Sequence, residues 1–150
     1  MARVEQIRPY VEKVLKEYAG TDTLIVDSDG DVPFRAGSAM YYVRMIDQDP
    51  PLVSLFARMV EKISKTPELL ERLNEMNETI RFGRIFWAAE TVIVATELVA
   101  ETLDKEELEN ACSAIGSIAD HFDTEIQQKF GGEVAFTDEG EKPEDTPAEV

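Results

Sequence analysis

Apolar residues recur at three- and four-residue steps in three stretches of the chain, and each stretch predicts a helix. Val4, Ile7, Val11, Val14 and Tyr18 share one stripe of a first helix that ends near Gly20. Pro9 falls within that stripe, so the helix either starts near Arg8 or is kinked there, because proline removes a donor and crowds the preceding turn. Thr66-Pro67-Glu68 opens a second helix with a capping hydroxyl, proline at the first helical position and a carboxylate facing the dipole. Leu69, Leu70, Leu73 and Met76 form its apolar face, and Asn74 and Asn77 stand at its end. Asp104 caps a third helix, with Glu107 placed to complete a capping box. Leu108, Ala111, Cys112, Ile115, Ala119, Phe122 and Ile126 make its stripe, and Gly131-Gly132 ends it.

Between these helices the period changes to two. Residues 23–26 and 32–36 read as strands about the turn Asp27-Ser28-Asp29-Gly30-Asp31, in which Gly30 supplies a positive φ. Gly37-Ser38 makes a second hairpin turn. Along residues 39–46, Tyr41, Val43 and Met45 alternate with Met40, Tyr42, Arg44 and Ile46. After the breaker Asp49-Pro50-Pro51, residues 52–60 set Val53, Leu55, Ala57 and Met59 against Ser54, Phe56 and Arg58, so these two strands are expected to be antiparallel neighbours. Residues 80–88 and 91–99, rich in β-branched and aromatic side chains, read as a hairpin around Ala89-Glu90. The pattern predicts one α+β domain over residues 1–132, a twisted antiparallel sheet of five to six strands with N-terminal, middle and C-terminal helices. Residues 133–150 are set apart as an acidic tail that is expected to be disordered.

A chain of 150 residues suits one domain with a sizeable core. Its 31 acidic and 15 basic residues give a net charge of -16 and a pI near 4.3, which argues against nucleic acid and against anionic membrane surfaces as partners. The most apolar stretch, residues 85–100, carries Glu90 and Glu97, whereas a membrane span needs about 20 residues with few charges. Residues 1–10 match neither a signal nor a transit peptide, and one cysteine cannot form an internal disulfide. A cytoplasmic setting without membrane contact is therefore expected.

The charge is unevenly placed. Arg35, Arg44, Arg58, Arg81 and Arg84 lie in predicted strand segments, against the single acid Glu97. Arginine rather than lysine suits half-buried, stacked positions. Tyr42 and Phe56 stand two residues before Arg44 and Arg58 on the same strand faces, and Arg84 lies between Phe82 and Phe86. One sheet face should thus be aromatic and cationic. It reads either as a solvated face whose arginines pair with Glu97 and helix carboxylates, or as a binding or dimerisation face. The candidate contacts are Tyr42, Arg44, Phe56, Arg58, Phe82, Arg84 and Phe86.

Other chemistry fails its own requirements. Asp27, Asp29 and Asp31 imitate the start of a calcium loop, but its sixth position is Val32 where glycine is needed and its twelfth is Ser38 where glutamate belongs. Asp120, His121 and Asp123 suggest an acid-base cluster, yet no second histidine exists to complete a metal site. Cys112 sits on a buried stripe, where a thiol is inert. Phe82-Gly83-Arg84 has no second glycine and opens no helix, so it cannot cradle phosphate. No catalytic set, metal or cofactor is expected, and the chain does not read as an enzyme.

The run from Asp29-Gly30-Asp31-Val32-Pro33-Phe34-Arg35 through Gly37-Ser38-Ala39-Met40-Tyr41-Tyr42-Val43-Arg44 resembles the YbjN family of type III secretion chaperone-like proteins, in particular its actinobacterial peptide-binding chaperone branch. Thr66-Pro67-Glu68-Leu69-Leu70, Leu73-Asn74, Asn77, Ile80-Arg81-Phe82-Gly83-Arg84, Glu97-Leu98, Ala119-Asp120-His121-Phe122-Asp123 and Phe130-Gly131-Gly132 are similar to the same family. The resemblance covers residues 3–132. It implies the order α, three strands, α, two strands, α, from which the strand at residues 23–26 departs. It also implies a small, acidic, often dimeric protein that binds an extended segment of a protein or peptide client without catalysis. Members are otherwise described as sensory transduction regulators, and the alternative is a homodimeric scaffold, paired through the same sheet face, or such a regulator, without chaperone activity. No ligand residues carry over from the family, so the candidate contacts rest on strand periodicity alone.

Overall fold

The computed structural model describes residues 3–135 and 148–149. Its elements are α1 (Val4–Ala19), β1 (Val32–Ala36), β2 (Ala39–Ile46), β3 (Leu52–Glu61), α2 (Pro67–Thr79), β4 (Arg84–Ala88), β5 (Thr91–Val99), α3 (Lys105–Phe130), β6 (Glu133–Val134) and β7 (Ala148–Glu149). The five longer strands form an antiparallel sheet in the order β4-β5-β3-β2-β1. Two-residue β6 adds antiparallel to the end of β3, and two-residue β7 adds parallel to β1. The α+β class and the three helices are as the residue pattern predicts.

Helix ends follow their local chemistry. Thr66 accepts a hydrogen bond from the Leu69 N–H at 3.1 Å, and Asp104 accepts one from the Glu107 N–H at 2.8 Å. α1 starts at Val4, ahead of Pro9, and runs on through it. Of the apolar face predicted for α2, Leu70 stays 39% exposed while Leu69, Leu73 and Met76 are buried.

Two predicted strand segments are corrected. Residues 23–26 form no strand, because the backbone after them is satisfied locally: Asp27 Oδ1 accepts from the N–H groups of Asp29 and Asp31, both at 2.9 Å. Leu24 packs against the core instead of pairing. At residues 80–83 the ladder also fails, and β4 begins only at Arg84, because Phe82 takes a φ of 55° that no strand accommodates. Through α3 the observed order is therefore α, three strands, α, two strands, α, with the two-residue β6 and β7 after it.

The helices share one face of the sheet. Val11, Val14 and Leu15 of α1, Leu69, Leu73 and Met76 of α2, and Leu108, Ile115, Ala119 and Ile126 of α3 join Phe34, Tyr41, Val43, Leu55, Ala57, Ile85 and Val94 in one buried cluster. Close approach makes two glycines necessary. Gly37 has φ 57° and lies so near the Asp120 carboxylate that a Cβ there would collide with it. Gly132, at φ 81°, brings the chain after α3 against Glu61 and Val60, where β6 joins the sheet. Within residues 133–150, β6 and β7 are paired; the expectation of disorder for residues 136–147 and 150 lies outside the described residues.

Candidate functional site

The other face of the sheet is left open by the helices. Tyr42 and Phe56 stand opposite each other in the β2–β3 ladder, with ring centroids 5.5 Å apart and planes inclined by 23°. Such cross-strand aromatic pairs contribute beyond their buried area. Arg58, two residues along β3 from Phe56, lies over both rings, its Cζ 5.4 Å from the Phe56 centroid and 5.7 Å from that of Tyr42. Arg44, two residues along β2, comes within 4.9 Å of the Phe56 centroid. The result is an aromatic platform with guanidinium groups at its sides.

Two of the candidate arginines are already engaged. Arg44 donates from Nε at 2.8 Å and from Nη2 at 2.7 Å to the two oxygens of Asp31, a carboxylate that is 2% exposed. That fork-to-fork geometry holds the guanidinium pKa above its usual value, through the Asp31 hydrogen bonds first. Arg84 donates to Glu97 at 2.6 and 2.8 Å across the β4–β5 hairpin and also lies 5.4 Å from the Phe86 ring. Hydrogen bonding from Arg84 keeps the Glu97 carboxyl below the usual carboxylate range. Arg58 is exposed and, among the described residues, makes no ion pair.

The register places the other candidates. Ile93 of β5 pairs with Arg58 on one side and with Phe86 on the other, which brings Phe86 into the platform's neighbourhood. Phe82 is not brought there. It sits in the loop before β4, 82% exposed, in the left-handed backbone region. Tyr42, Arg44, Phe56, Arg58, Arg84 and Phe86 thus share the sheet, and Phe82 stands apart from it.

Several groups outside this face were candidates for chemistry. The Asp27, Asp29 and Asp31 carboxylates converge within 4.8 Å, but Asp27 caps its own turn and Asp31 is held by Arg44. The arrangement is a turn with an ion pair rather than a built cation site. Burial pushes the Cys112 thiol up to about 12, far from a reactive thiolate. His121 is exposed, edge-on to the Phe122 ring.

Of the cluster Asp120, His121 and Asp123, the residue pattern does not foresee the burial of Asp123, which is 1% exposed. Its Oδ2 lies 3.0 Å from the Ser38 hydroxyl, which also sits 2.8 Å from Asp120 Oδ1. The spacing of Ile115, Ala119 and Asp123 at steps of four is the signal that puts it on the inner stripe of α3.

A sheet covered by helices on one side and, among the described residues, left open by them on the other, in this order of elements, is the fold of type III secretion chaperones. The structure is similar to that solved as the ExsC-ExsE complex, with a TM-score of 0.60 and 15% identity over 77% of this chain and 92% of that one. It is likewise similar to the HopA1-SchA chaperone-effector complex, with a TM-score of 0.56 and 10% identity over 77% of this chain and 94% of that one. The family model described as T3SS (YopN, CesT) and YbjN peptide-binding chaperone 1 matches residues 5–138, and the chain belongs to that family. No curated protein matches the sequence.

Proposed function

We propose that this protein binds an extended segment of a partner protein on the open face of its sheet, by contact and without catalysis. The observation that carries the reading is the Tyr42–Phe56 stack with Arg58 lying over it, exposed and without an ion-pair partner among the described residues. Aromatic rings supply apolar contact at low entropic cost, and an arginine that is not already paired can take a carboxylate or a carbonyl of the client. Membership of a peptide-binding chaperone family supports the same activity. The client chemistry that fits is an extended segment combining acidic and aromatic residues.

A peptide array tests this. Acidic-aromatic peptides are expected to bind better than scrambled neutral ones, and Arg58→Glu is expected to weaken them about tenfold, the scale of one charge-assisted contact. Equal binding to both peptide classes, unchanged by Arg58→Glu, rules the reading out. The rival reading is that the same face pairs two protomers into a homodimer. A dimer in light scattering that Phe56→Asp breaks, with no peptide binding, favours that rival.

A further inference from the structure

On the helical side of the sheet, apart from the open face, the end of α1, the β1–β2 turn and one row of α3 enclose a cleft of about 230 Å³. Tyr41 is part of its lining, 0% exposed, with its ring stacked on Phe34 at 5.4 Å. The Tyr41 hydroxyl is buried and, among the described residues, has no hydrogen-bond partner. A buried hydroxyl left so is costly, and it calls for an occupant in the space beside it. Gly116 lets α3 come down onto the hairpin, since a Cβ there would stand 2.8 Å from Ala36 Cβ and 3.1 Å from Tyr41 Cε1. That close approach brings Ser113, Ser117 and Asp120, at steps of four and three along α3, into the wall of the cleft, and Tyr18 of α1 adds a second phenol.

We infer that this cleft binds a short amino alcohol, with its ammonium group at Asp120 and its hydroxyl at Tyr41. The lining selects for that chemistry. Asp120 commits Oδ1 to the Ser38 N–H and hydroxyl, both at 2.8 Å, and has no hydrogen bond at Oδ2 among the described residues. Among the described residues no lysine or arginine lines the cleft, and Arg35 donates from Nε to the Gly37 carbonyl at 3.3 Å instead. A carboxylate without a cation beside it, in a chain of net charge -16, disfavours anions and favours a positive group. Burial raises the pKa of the Tyr18 and Tyr41 phenols, so both keep a proton and can accept through oxygen as well as donate. Serine hydroxyls have the same freedom, which suits a ligand with several N–H and O–H groups. Size sets the rest: the cleft is larger than one water, which takes about 30 Å³, and smaller than drug-sized pockets of about 300–1,000 Å³, so the ligand has a handful of heavy atoms.

Ethanolamine, ethylene glycol and acetate, titrated into the full chain at one ionic strength and followed by amide NMR shifts, test this. Ethanolamine is expected to give saturable shifts at Gly37, Cys112 and Gly116 with a dissociation constant in the millimolar range, the scale open to so few heavy atoms. Ethylene glycol, which lacks the charge, is expected to bind about tenfold more weakly, and acetate not at all. Asp120→Asn keeps an acceptor for Ser38 but removes the charge, and is expected to weaken ethanolamine about tenfold. Tyr41→Phe, which keeps the ring and its stack, is expected to weaken it several-fold, while Glu90→Gln, a carboxylate removed at the β4–β5 turn, leaves it unchanged. Three results overturn the inference: no saturable shifts at these amides, which leaves a cleft holding water only; equal binding of ethylene glycol and ethanolamine; or ethanolamine binding that survives both Asp120→Asn and Tyr41→Phe undiminished.

Discussion

Ser38 has one hydroxyl proton and two carboxylate neighbours, Asp120 and Asp123. The Ser38 N–H also donates to Asp120 Oδ1, at 2.8 Å. Burial raises the Asp123 pKa, opposed in part by the hydrogen bonds from Ser38 and Thr124. A carboxyl whose folded pKa lies above its unfolded value of about 3.9 adds stability below that value, and the contribution is lost as pH rises through the folded pKa. Asp123→Asn retains an acceptor for Thr124 and gains a donor for Ser38 without the charge. Thermal melts are expected to show Asp123→Asn more stable than the unaltered protein at neutral pH, with the gain vanishing toward about pH 4. A loss of stability that is larger at neutral than at acidic pH contradicts the assignment.

Among elements, the helices and the long strands were legible in the sequence because each buries one face, and burial imposes a period. β2 and β3 show it most clearly, with Tyr41, Val43, Val53, Leu55 and Ala57 buried and Met40, Tyr42, Phe56 and Arg58 turned the other way. Residues 23–26 and 80–83 were misread because strand-forming residue types precede tight turns there, and local hydrogen bonding or a positive φ overrode β propensity. Asn77 was read only as part of a helix end, since nothing in the sequence tells that its amide hydrogen-bonds the N–H and the carbonyl of Ile85 at the β4 edge, both at 2.9 Å. Asn77→Ala is expected to cost about 1–3 kcal/mol in chemical denaturation, since it removes both hydrogen bonds at that edge. Faster amide exchange at Ile85 should accompany the loss. A variant of unchanged stability with Ile85 still protected contradicts the role given to Asn77.

For the whole molecule, the net charge of -16 conceals a local reversal that the structure makes smaller than the sequence implied. β1 to β5 hold Arg35, Arg44, Arg58 and Arg84 against Glu61 and Glu97, while Arg81 lies in the loop before β4. Asp31 and Glu97 take up two of those guanidinium groups, so the open face presents an aromatic platform with Arg58 as its unpaired charge among the described residues, rather than a broadly cationic surface. Pairing with Asp31 was hidden from the sequence, because a turn aspartate and an arginine thirteen residues on carry no local signature. Affinity for a client should therefore come mainly from apolar contact along β2, β3 and β5, with charge selecting among peptides. The most direct test is a heteronuclear NMR titration of the protein with an acidic-aromatic peptide. Saturable shifts concentrated at Tyr42, Phe56, Arg58, Phe86 and Ile93 are the expected result, and shifts confined to the helical side, at α1 and α3, contradict the account.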